Sequence, residues 1–373
     1  MSTGLVHDYL LVMRGAERTF AAIAECWPSA DIYTLLYDRI GTEEKFADRN
    51  VKVSYLQNLP LRQHNFRHAL PLYPRAIERL PVSNHDVVVS SSSAFAHGVK
   101  LATDTIHVCY CHSPFRYAWH ERGRALSELP SALHPLLSRS LDRIRSWDHH
   151  AAQAVTHYVA NSEVTRRRIQ EFYGRDASVI HPPVDIDRFS IEEPEDYALI
   201  VTEIVPHKRV DQALEAARRA GRRVKVVGSG PQLTSLKQRF GRSAEFLGRV
   251  SDAELTRLHQ RAGVFLMANV EEFGIAAVEA QAAGRPVLAA AAGGALETVL
   301  PGETGVLVPE GNVDAMAEAL RHIDFGRFRP EVIRRNAERF ATASFQSRLR
   351  AEVAHAARRS ANQPERALAP VGV

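Results

Sequence analysis

The chain is poor in cysteine and has no long apolar segment. Its three cysteines, Cys26, Cys109 and Cys111, are an odd number, so the sequence does not suggest a framework of disulfides. Cys109 and Cys111 fall on one face of a predicted strand, but no second Cys or His pair stands at zinc-site spacing, so we predict no metal there. No apolar run reaches the roughly 18 residues of a membrane span, and the N-terminus lacks the regions of a signal peptide. We therefore expect a cytoplasmic protein.

Positive charge is present but not concentrated. The formal net charge of +4 and the pI near 9.0 suit acidic ligands, yet no tract resembles a nucleic-acid-binding module, so we expect no nucleic acid partner. The most basic segments are 166–168 and 62–79. The second has apolar residues between its charges, and we favour a solvated helix face. The alternative is peripheral docking on an anionic membrane, at the inner face of the cell membrane, where a lipid-linked acceptor would lie.

Length and pattern predict two α/β domains. The chain has 373 residues, 45% of them hydrophobic, which is more than one core usually holds. Short β-branched runs alternate with helical stretches, as is typical of parallel sheets flanked by helices. Strands are predicted at 4–7, 31–36, 51–55, 86–90, 106–111, 156–160 and 178–181, then at 199–203, 224–227, 244–247, 264–267, 286–289 and 306–308. The turn-rich, acidic stretch 182–195 separates the two sets.

Two carboxylates flank the start of an apolar helix predicted over 275–283. Glu271 lies just ahead of the helix, Gly274 opens it, and Glu279 falls on its second turn. The free N–H groups of a helix end attract phosphate, while carboxylates accept hydrogen bonds from neutral hydroxyls, and a sugar nucleotide offers both groups. The alternative is that Glu271 and Glu272 only complement the helix dipole and that Glu279 is solvated.

The chain around this pair resembles glycosyltransferase family 4, whose signature is two Glu residues separated by seven positions. Further segments match the family in order, and so many matches in succession are a strong sign of kinship. They are Val6-His7-Asp8-Tyr9, Met13-Arg14-Gly15-Ala16-Glu17, His112-Ser113-Pro114, Val159-Ala160-Asn161-Ser162, Val205-Pro206-His207-Lys208-Arg209-Val210-Asp211, Val227-Gly228-Ser229-Gly230-Pro231, Phe246-Leu247-Gly248-Arg249-Val250-Ser251 and Gly293-Gly294-Ala295-Leu296-Glu297-Thr298-Val299. The resemblance extends from about residue 4 to residue 350.

The resemblance implies the GT-B architecture, in which two Rossmann-like parallel-sheet lobes face each other across a cleft. We expect an acceptor-side domain over 1–185 and a nucleotide-sugar-binding domain over 186–343. An amphipathic helix over 344–360, with Ser344 as its N-cap, is expected to cross back to the first lobe. Residues 361–373 are predicted to form a disordered tail.

The resemblance also assigns donor-binding roles on the second lobe. Glu279 is expected to bind the ribose hydroxyls and Glu271 the hydroxyls of the donor sugar, while Lys208 and Arg209 face the diphosphate. The remaining donor-binding residues predicted on this lobe are Val250, beside the base, and Phe273, Gly274 and Ile275, at the helix end.

On the first lobe, the loop of Gly15 is expected to approach the diphosphate closely, and His112 is expected to face the reacting sugar. We predict His112 and Glu271 as the catalytic residues. The alternative for His112 is a structural histidine bonded to local backbone.

No Asp-x-Asp motif accompanies a strand end, as a metal-bridged diphosphate would require, and the family works without a metal ion. We therefore predict no metal and no cofactor besides the nucleotide sugar substrate. The family retains the anomeric configuration, commonly explained by same-face attack in which the leaving phosphate assists the acceptor. Charge on the departing phosphate would then be stabilised by the helix end, Lys208 and Arg209.

The chain departs from the family at Glu203, where members usually carry an Arg five positions before the Lys. A carboxylate there should repel phosphate. Either Glu203 turns away and Arg209 or Arg249 substitutes, or the donor carries a cationic group, or catalysis is weak. Ala16 and the run 290–292 also replace residues that are more often Gly or polar in the family.

The closest likeness within the family, carried by residues 112–119 and 271–275, is to bacterial mannosyltransferase-like members of surface polysaccharide synthesis. GDP-mannose is therefore the leading donor, with a polyprenyl-linked, glycan or small-molecule acceptor. Two alternatives remain: a sugar-nucleotide-binding protein that has lost catalysis and serves assembly or regulation, and a GT-B relative performing phosphorolysis or epimerisation.

Overall fold

Parallel strands form two separate sheets in the computed structural model, which describes residues 1–127 and 130–361. One compact unit is formed by residues 1–180 together with the chain from Gln346 onward, and the other by His181–Phe345. The predicted disordered tail lies, from residue 362, outside the described residues. Two Rossmann-like parallel-sheet lobes were expected, and this part of the prediction is confirmed.

The first unit contains a seven-stranded sheet in the order β3-β2-β1-β4-β5-β6-β7. Its strands are β1 Thr3–His7, β2 Asp31–Thr34, β3 Val51–Val53, β4 Val87–Ser92, β5 Ile106–Cys111, β6 His157–Ala160 and β7 Ala177–Val179. Its helices are α1 Gly15–Cys26, α2 Tyr73–Glu78, α3 Arg122–Ser127, α4 His134–Ala152 and α5 Glu163–Tyr173. The side chains of β4 are buried on both faces, as expected for a central parallel strand covered by helices on either side.

The second unit contains a six-stranded sheet in the order β10-β9-β8-β11-β12-β13. Its strands are β8 Ala198–Val201, β9 Val224–Val227, β10 Ala244–Gly248, β11 Val264–Met267, β12 Val287–Ala290 and β13 Gly305–Val308. Its helices are α6 Val210–Ala220, α7 Leu233–Phe240, α8 Asp252–Arg261, α9 Ile275–Ala282, α10 Ala295–Thr298, α11 Val313–His322 and α12 Pro330–Glu338. The predicted binding segments follow β8, β9, β10 and β11, at the carboxyl edge where open α/β sheets bind ligands.

The last helix, α13, runs over Thr342–Ala361, so Ser344 is not its N-cap, as the sequence had suggested. The helix begins two residues earlier and places Ser344 inside its first turn. Its apolar stripe is as predicted, since Phe345, Leu349 and Val353 are all buried.

The division between the units falls after Ile180, five residues before the end of the predicted first domain. The reason is packing, because Val184, Ile186 and Phe189 are buried in a core cluster of the second unit. Among the helices of the described residues, none has both the length and the apolar character that crossing a bilayer requires.

Candidate active site

The second unit brings Lys208 and Glu271 together. Lys208 ends a short 3-10 helix over Pro206–Lys208 that follows β8, and Glu271 follows β11, the strand beside β8. The Lys208 Nζ lies 2.5 Å from Glu271 Oε1, and the Asn269 amide donates to the same oxygen at 2.7 Å. About a fifth of each charged side chain is exposed, so the pair is partly shielded from water yet open to a ligand. A charge-assisted bond of this kind fixes the carboxylate and the ammonium side by side.

The backbone of the loop that carries Glu271 packs directly against Gly293 and Gly294. Gly294 N donates to Glu271 O at 2.8 Å, and Gly293 has a φ of +61°. A Cβ added at Gly293 would lie 2.3 Å from Glu271 O, and one at Gly294 would lie 2.3 Å from Phe273 Cα. Only glycine allows this approach, so the two glycines hold the loop in place.

Helix α9 begins directly behind Glu271. Gly274 is its N-cap with a φ of +91°, and the N–H groups of the first turn have no partner within the helix, as at any helix N-terminus. A Cβ added at Gly274 would lie 3.8 Å from Cβ of Glu271, so the Glu271 side chain starts beside this helix end. Phe273 is buried and stacks on His181 with ring centroids 5.4 Å apart, so its side chain belongs to the core and only its backbone is available to a ligand. Ile275 is partly buried against the same cluster.

Glu279, on the second turn of α9, lies between a cation and a histidine. Arg188 Nη2 is 3.5 Å from Glu279 Oε1, and His259 Nε2 is 3.7 Å from Glu279 Oε2. Burial, helped by the charge of Arg188, lowers the pKa of His259 to about 3, so this imidazole is neutral. The Glu279 carboxylate therefore lies beside the cation of Arg188 and a neutral imidazole, and its oxygens are acceptors to which sugar hydroxyls can donate.

Two further arginines predicted near the donor, Arg209 and Arg249, are bonded to neighbouring side chains. Arg209 adopts a left-handed backbone conformation, caps α6, and pairs with Glu310 at 2.9 Å. Arg249 Nε donates to Ser229 Oγ at 3.2 Å, and Val250 is partly buried just after β10. Glu203 is exposed.

In the first unit, the segment after β1 is organised by Asp8. Its buried carboxylate accepts four backbone N–H bonds of 2.5 to 3.1 Å from residues 93–96, the loop that follows β4. Burial raises the pKa of Asp8, and these hydrogen bonds offset part of that rise. The carboxyl ends of two neighbouring strands are thereby tied together.

Gly15 is exposed and opens α1, where Glu17 accepts a hydrogen bond from Arg14 N at 3.1 Å. Burial raises the pKa of Glu17 to about 7, so its side chain is partly protonated near neutral pH. A carboxyl group in this state opposes an anion at the helix end less than a full charge would.

His112 follows β5 and is bonded through its side chain. Its Nε2 lies 2.8 Å from Ser91 Oγ, and Ser91 Oγ lies 3.1 Å from Nδ1 of the buried His7. Burial and the neighbouring His112 lower the pKa of His7 to about 3. His112 is thus the outer member of a hydrogen-bonded row of three side chains.

The sequence did not predict Asn269, Arg188, His259, Ser91 or His7 as functional residues. Arg188 and Ser91 meet their partners only through the fold, so no local spacing indicates them. His7 stands inside a segment that matches the family, and this was the one available signal.

Two family models match the chain in succession. The model described as Glycosyltransferase Family 4 matches residues 13–188, and the model described as Glycosyl transferases group 1 matches residues 184–339.

Curated relatives are also similar over part of the chain. The GDP-mannose-dependent alpha-(1-6)-phosphatidylinositol monomannoside mannosyltransferase of Mycolicibacterium smegmatis is 33% identical over 192 residues, covering 43% of this chain and 50% of the relative. The D-inositol 3-phosphate glycosyltransferase of Mycobacterium bovis is 34% identical over 192 residues, covering 44% of this chain and 40% of the relative. The match thus spans half the length of these relatives or less.

Solved structures share the fold over nearly the whole chain. HepE of Anabaena, crystallised in complex with UDP, superposes with a TM-score of 0.69 at 17% identity and covers 95% of this chain and 100% of its own. The sucrose-phosphate synthase of Thermosynechococcus elongatus gives a TM-score of 0.71 at 15% identity, with 94% and 98% covered.

Proposed function

Since the chain belongs to glycosyltransferase family 4, with the group 1 model matching its second half, we propose that it transfers a hexose from a nucleotide sugar with retention of configuration and without a metal ion. Lys208 would contact the diphosphate, Glu271 the hydroxyls of the donor sugar, and Glu279 the ribose. The leaving phosphate would itself assist the acceptor hydroxyl.

One observation carries this proposal: the ammonium of Lys208 lies 2.5 Å from a Glu271 carboxylate that is set directly ahead of the N-terminus of α9. The ammonium and the helix end both favour negative charge, and a departing phosphate gains negative charge in the transition state. The carboxylate favours neutral hydroxyls. The phosphate would thus have the ammonium and the helix end as partners, and the sugar would have the carboxylate.

We propose GDP-mannose as the leading donor. The GDP-mannose dependence of the Mycolicibacterium smegmatis relative supports it, whereas the UDP complex of HepE supports a uridine nucleotide in the shared fold. An experiment should therefore first compare donors that carry guanine with donors that carry uracil.

For the acceptor, we propose a polyprenyl-linked or other lipid-linked molecule first, then a glycan or a small molecule. Support comes from the phosphatidylinositol monomannoside in the relatives' names. It also comes from the surface around α2, where exposed leucines lie among exposed arginines, a composition that suits an anionic bilayer at the inner face of the cell membrane. These residues are Leu59, Leu72, Arg62, Arg67, Arg75 and Arg79.

The test is a panel of GDP- and UDP-sugars, each incubated with purified protein in EDTA while nucleotide release and calorimetric binding are followed. Release of GDP from GDP-mannose is the expected result. Lys208→Ala should abolish it, whereas Lys225→Ala, a partly buried lysine on β9, serves as the matched control and should not.

Other outcomes of the panel contradict the proposal. Binding without release indicates a catalytically silent binding protein, and an epimerised sugar or a sugar phosphate indicates different chemistry. Loss of all release in EDTA, with recovery on adding Mg²⁺, would contradict the metal-independent step.

A further inference from the structure

Three consecutive serines at the end of β4 each bond the side chain of a histidine. The pairs are Ser90 Oγ with His107 Nε2 at 2.8 Å, Ser91 Oγ with His112 Nε2 at 2.8 Å and His7 Nδ1 at 3.1 Å, and Ser92 Oγ with His97 Nδ1 at 3.1 Å. All three serines are buried. Ser91 differs from its neighbours because it stands between two imidazoles.

A serine hydroxyl has a single hydrogen, so Ser91 can donate to only one of its two histidines and must accept from the other. Either His7 donates to Ser91 and Ser91 donates to His112, or the bonds run in the opposite sense. The tautomers of His7 and His112 are therefore coupled through one oxygen.

The surroundings of His7 decide in which direction these two hydrogen bonds run. Its ring is buried and stacks on Phe20 with centroids 4.6 Å apart, and burial keeps the imidazole neutral by lowering its pKa to about 3. Among the described residues, its Nδ1 bonds Ser91 and its Nε2 bonds no protein group. A proton on Nδ1 has the Ser91 oxygen as its acceptor, whereas a proton on Nε2 would have no acceptor among the described residues, so we place the proton on Nδ1, where it is donated to Ser91.

We propose that Ser91 and His7 are positioning residues that hold the neutral form of His112 as its Nδ1–H tautomer, with Nε2 accepting from the Ser91 hydroxyl. In this tautomer Nδ1 of His112 carries a hydrogen and its Nε2 lone pair accepts from the Ser91 hydroxyl, so neither ring nitrogen has the lone pair that a general base needs. The inference rests on the proposed function only in placing His112 at the sugar. The tautomer itself does not depend on it.

The direct test is ¹⁵N-histidine NMR of the full chain at pH 7.5, with His112→Ala used to assign the signals. In the wild type, His112 should show a protonated Nδ1 and an unprotonated Nε2. In Ser91→Ala and in His7→Phe, which keeps a ring on Phe20, the pattern should move toward the Nε2–H form or an average.

Ser90→Ala is the matched control, because it removes an equally buried serine–histidine bond one residue away. It should lower the melting temperature about as much as Ser91→Ala and leave the signals of His112 in place. With the leading donor, Ser91→Ala should lower kcat about tenfold, the worth of one hydrogen bond, with the donor KM within about twofold. Ser90→Ala should keep the wild-type kcat.

A wild-type His112 protonated at Nε2 would overturn the proposal, and so would a Ser91→Ala variant indistinguishable from Ser90→Ala in both spectrum and kcat. If Ser91→Ala does not fold, His7→Phe tests the proposal by the same two measurements, the ¹⁵N signals of His112 and kcat. If the wild type releases no nucleotide from any donor, the proposed function fails, while the NMR pattern still decides the tautomer.

Discussion

The Glu271 carboxylate accepts from both Lys208 and Asn269 through one oxygen, so a single atom holds two side chains of the site. Glu271→Gln removes the charge at nearly constant shape. We expect nucleotide release to fall about 100-fold or more, because an interaction that matters in the transition state is lost. Glu303→Gln, at an exposed glutamate, is the control and should retain full activity. A Glu271→Gln enzyme within a few-fold of wild type would remove Glu271 from the catalytic residues.

Arg188 Nη2 lies 3.5 Å from Glu279 Oε1, and the Arg188 side chain is mostly buried. Arg188→Ala should raise the nucleoside diphosphate Kd about tenfold, since Glu279 would lose the charge that orients it. Arg188→Lys should recover part of the affinity. Calorimetry on both variants, with exposed Arg261→Ala as control, measures this effect. Equal Kd values for wild type and Arg188→Ala would show that Arg188 does not position Glu279.

The sequence predicts the site residues that lie close together in the chain and misses those that only the fold brings together. Glu271, Glu279 and Gly274 lie within one loop and helix, so their relation is visible in the local spacing. Arg188 and Ser91 act on groups far away in the chain, and only tertiary packing brings them together. Lys208 was assigned by resemblance, but its direct pairing with Glu271 depends on β8 and β11 being neighbours.

The loop between β11 and α9 depends on the turn that follows β12. Gly293→Ala should cost about 3 kcal/mol of unfolding free energy, because the new Cβ meets Glu271 O in addition to the left-handed strain. Gly302→Ala is the matched control, since Gly302 also has a positive φ of +83° but has no heavy atom within 4 Å of an added Cβ. It should cost only about 1 kcal/mol. If chemical denaturation showed the same loss of unfolding free energy for both variants, the loop of Glu271 would be able to move away from the new Cβ at little cost.

The strands were predictable because each is a short β-branched run between turn residues. β5, β9 and β11 have the predicted bounds, but β4 continues to Ser92, two residues beyond its predicted end. Serine is not one of the β-branched and aromatic residues that are enriched in strands, and the pairing of these serines with histidines could not be inferred from a single segment. The order of strands in each sheet was likewise not predictable, since it depends on which helices pack on which face.

At the level of the whole molecule, stability should depend on pH through buried neutral histidines. The folded pKa of His259, about 3, is below its ordinary value of 6.5, so its contribution is complete above pH 6.5 and is lost as pH falls toward 3. Within the part of the chain that the structure describes, neither ring nitrogen of His259 has a hydrogen-bond partner, so His259→Phe removes no hydrogen bond seen there. Relative to the wild type, this variant should gain about 2 kcal/mol between pH 7.5 and pH 5.

Urea denaturation of both proteins at the two pH values measures this difference, and exposed His322→Phe should follow the wild type. A constant difference between His259→Phe and wild type would mean that His259 is protonated normally in the folded chain.

The path of the chain leaves the first unit at Ile180 and returns to it at Gln346. The returning residues are bonded there, since Gln346 Nε2 donates to Ala22 O at 3.2 Å and His157 Nε2 lies 2.7 Å from Glu352. On the ribosome, the first unit is therefore made first but finished last, because its closing helix is translated only after the entire second unit. Until then the apolar surface that Leu349 and Val353 later cover is exposed in the nascent chain. We expect chaperones to bind the chain at this stage more than at any other.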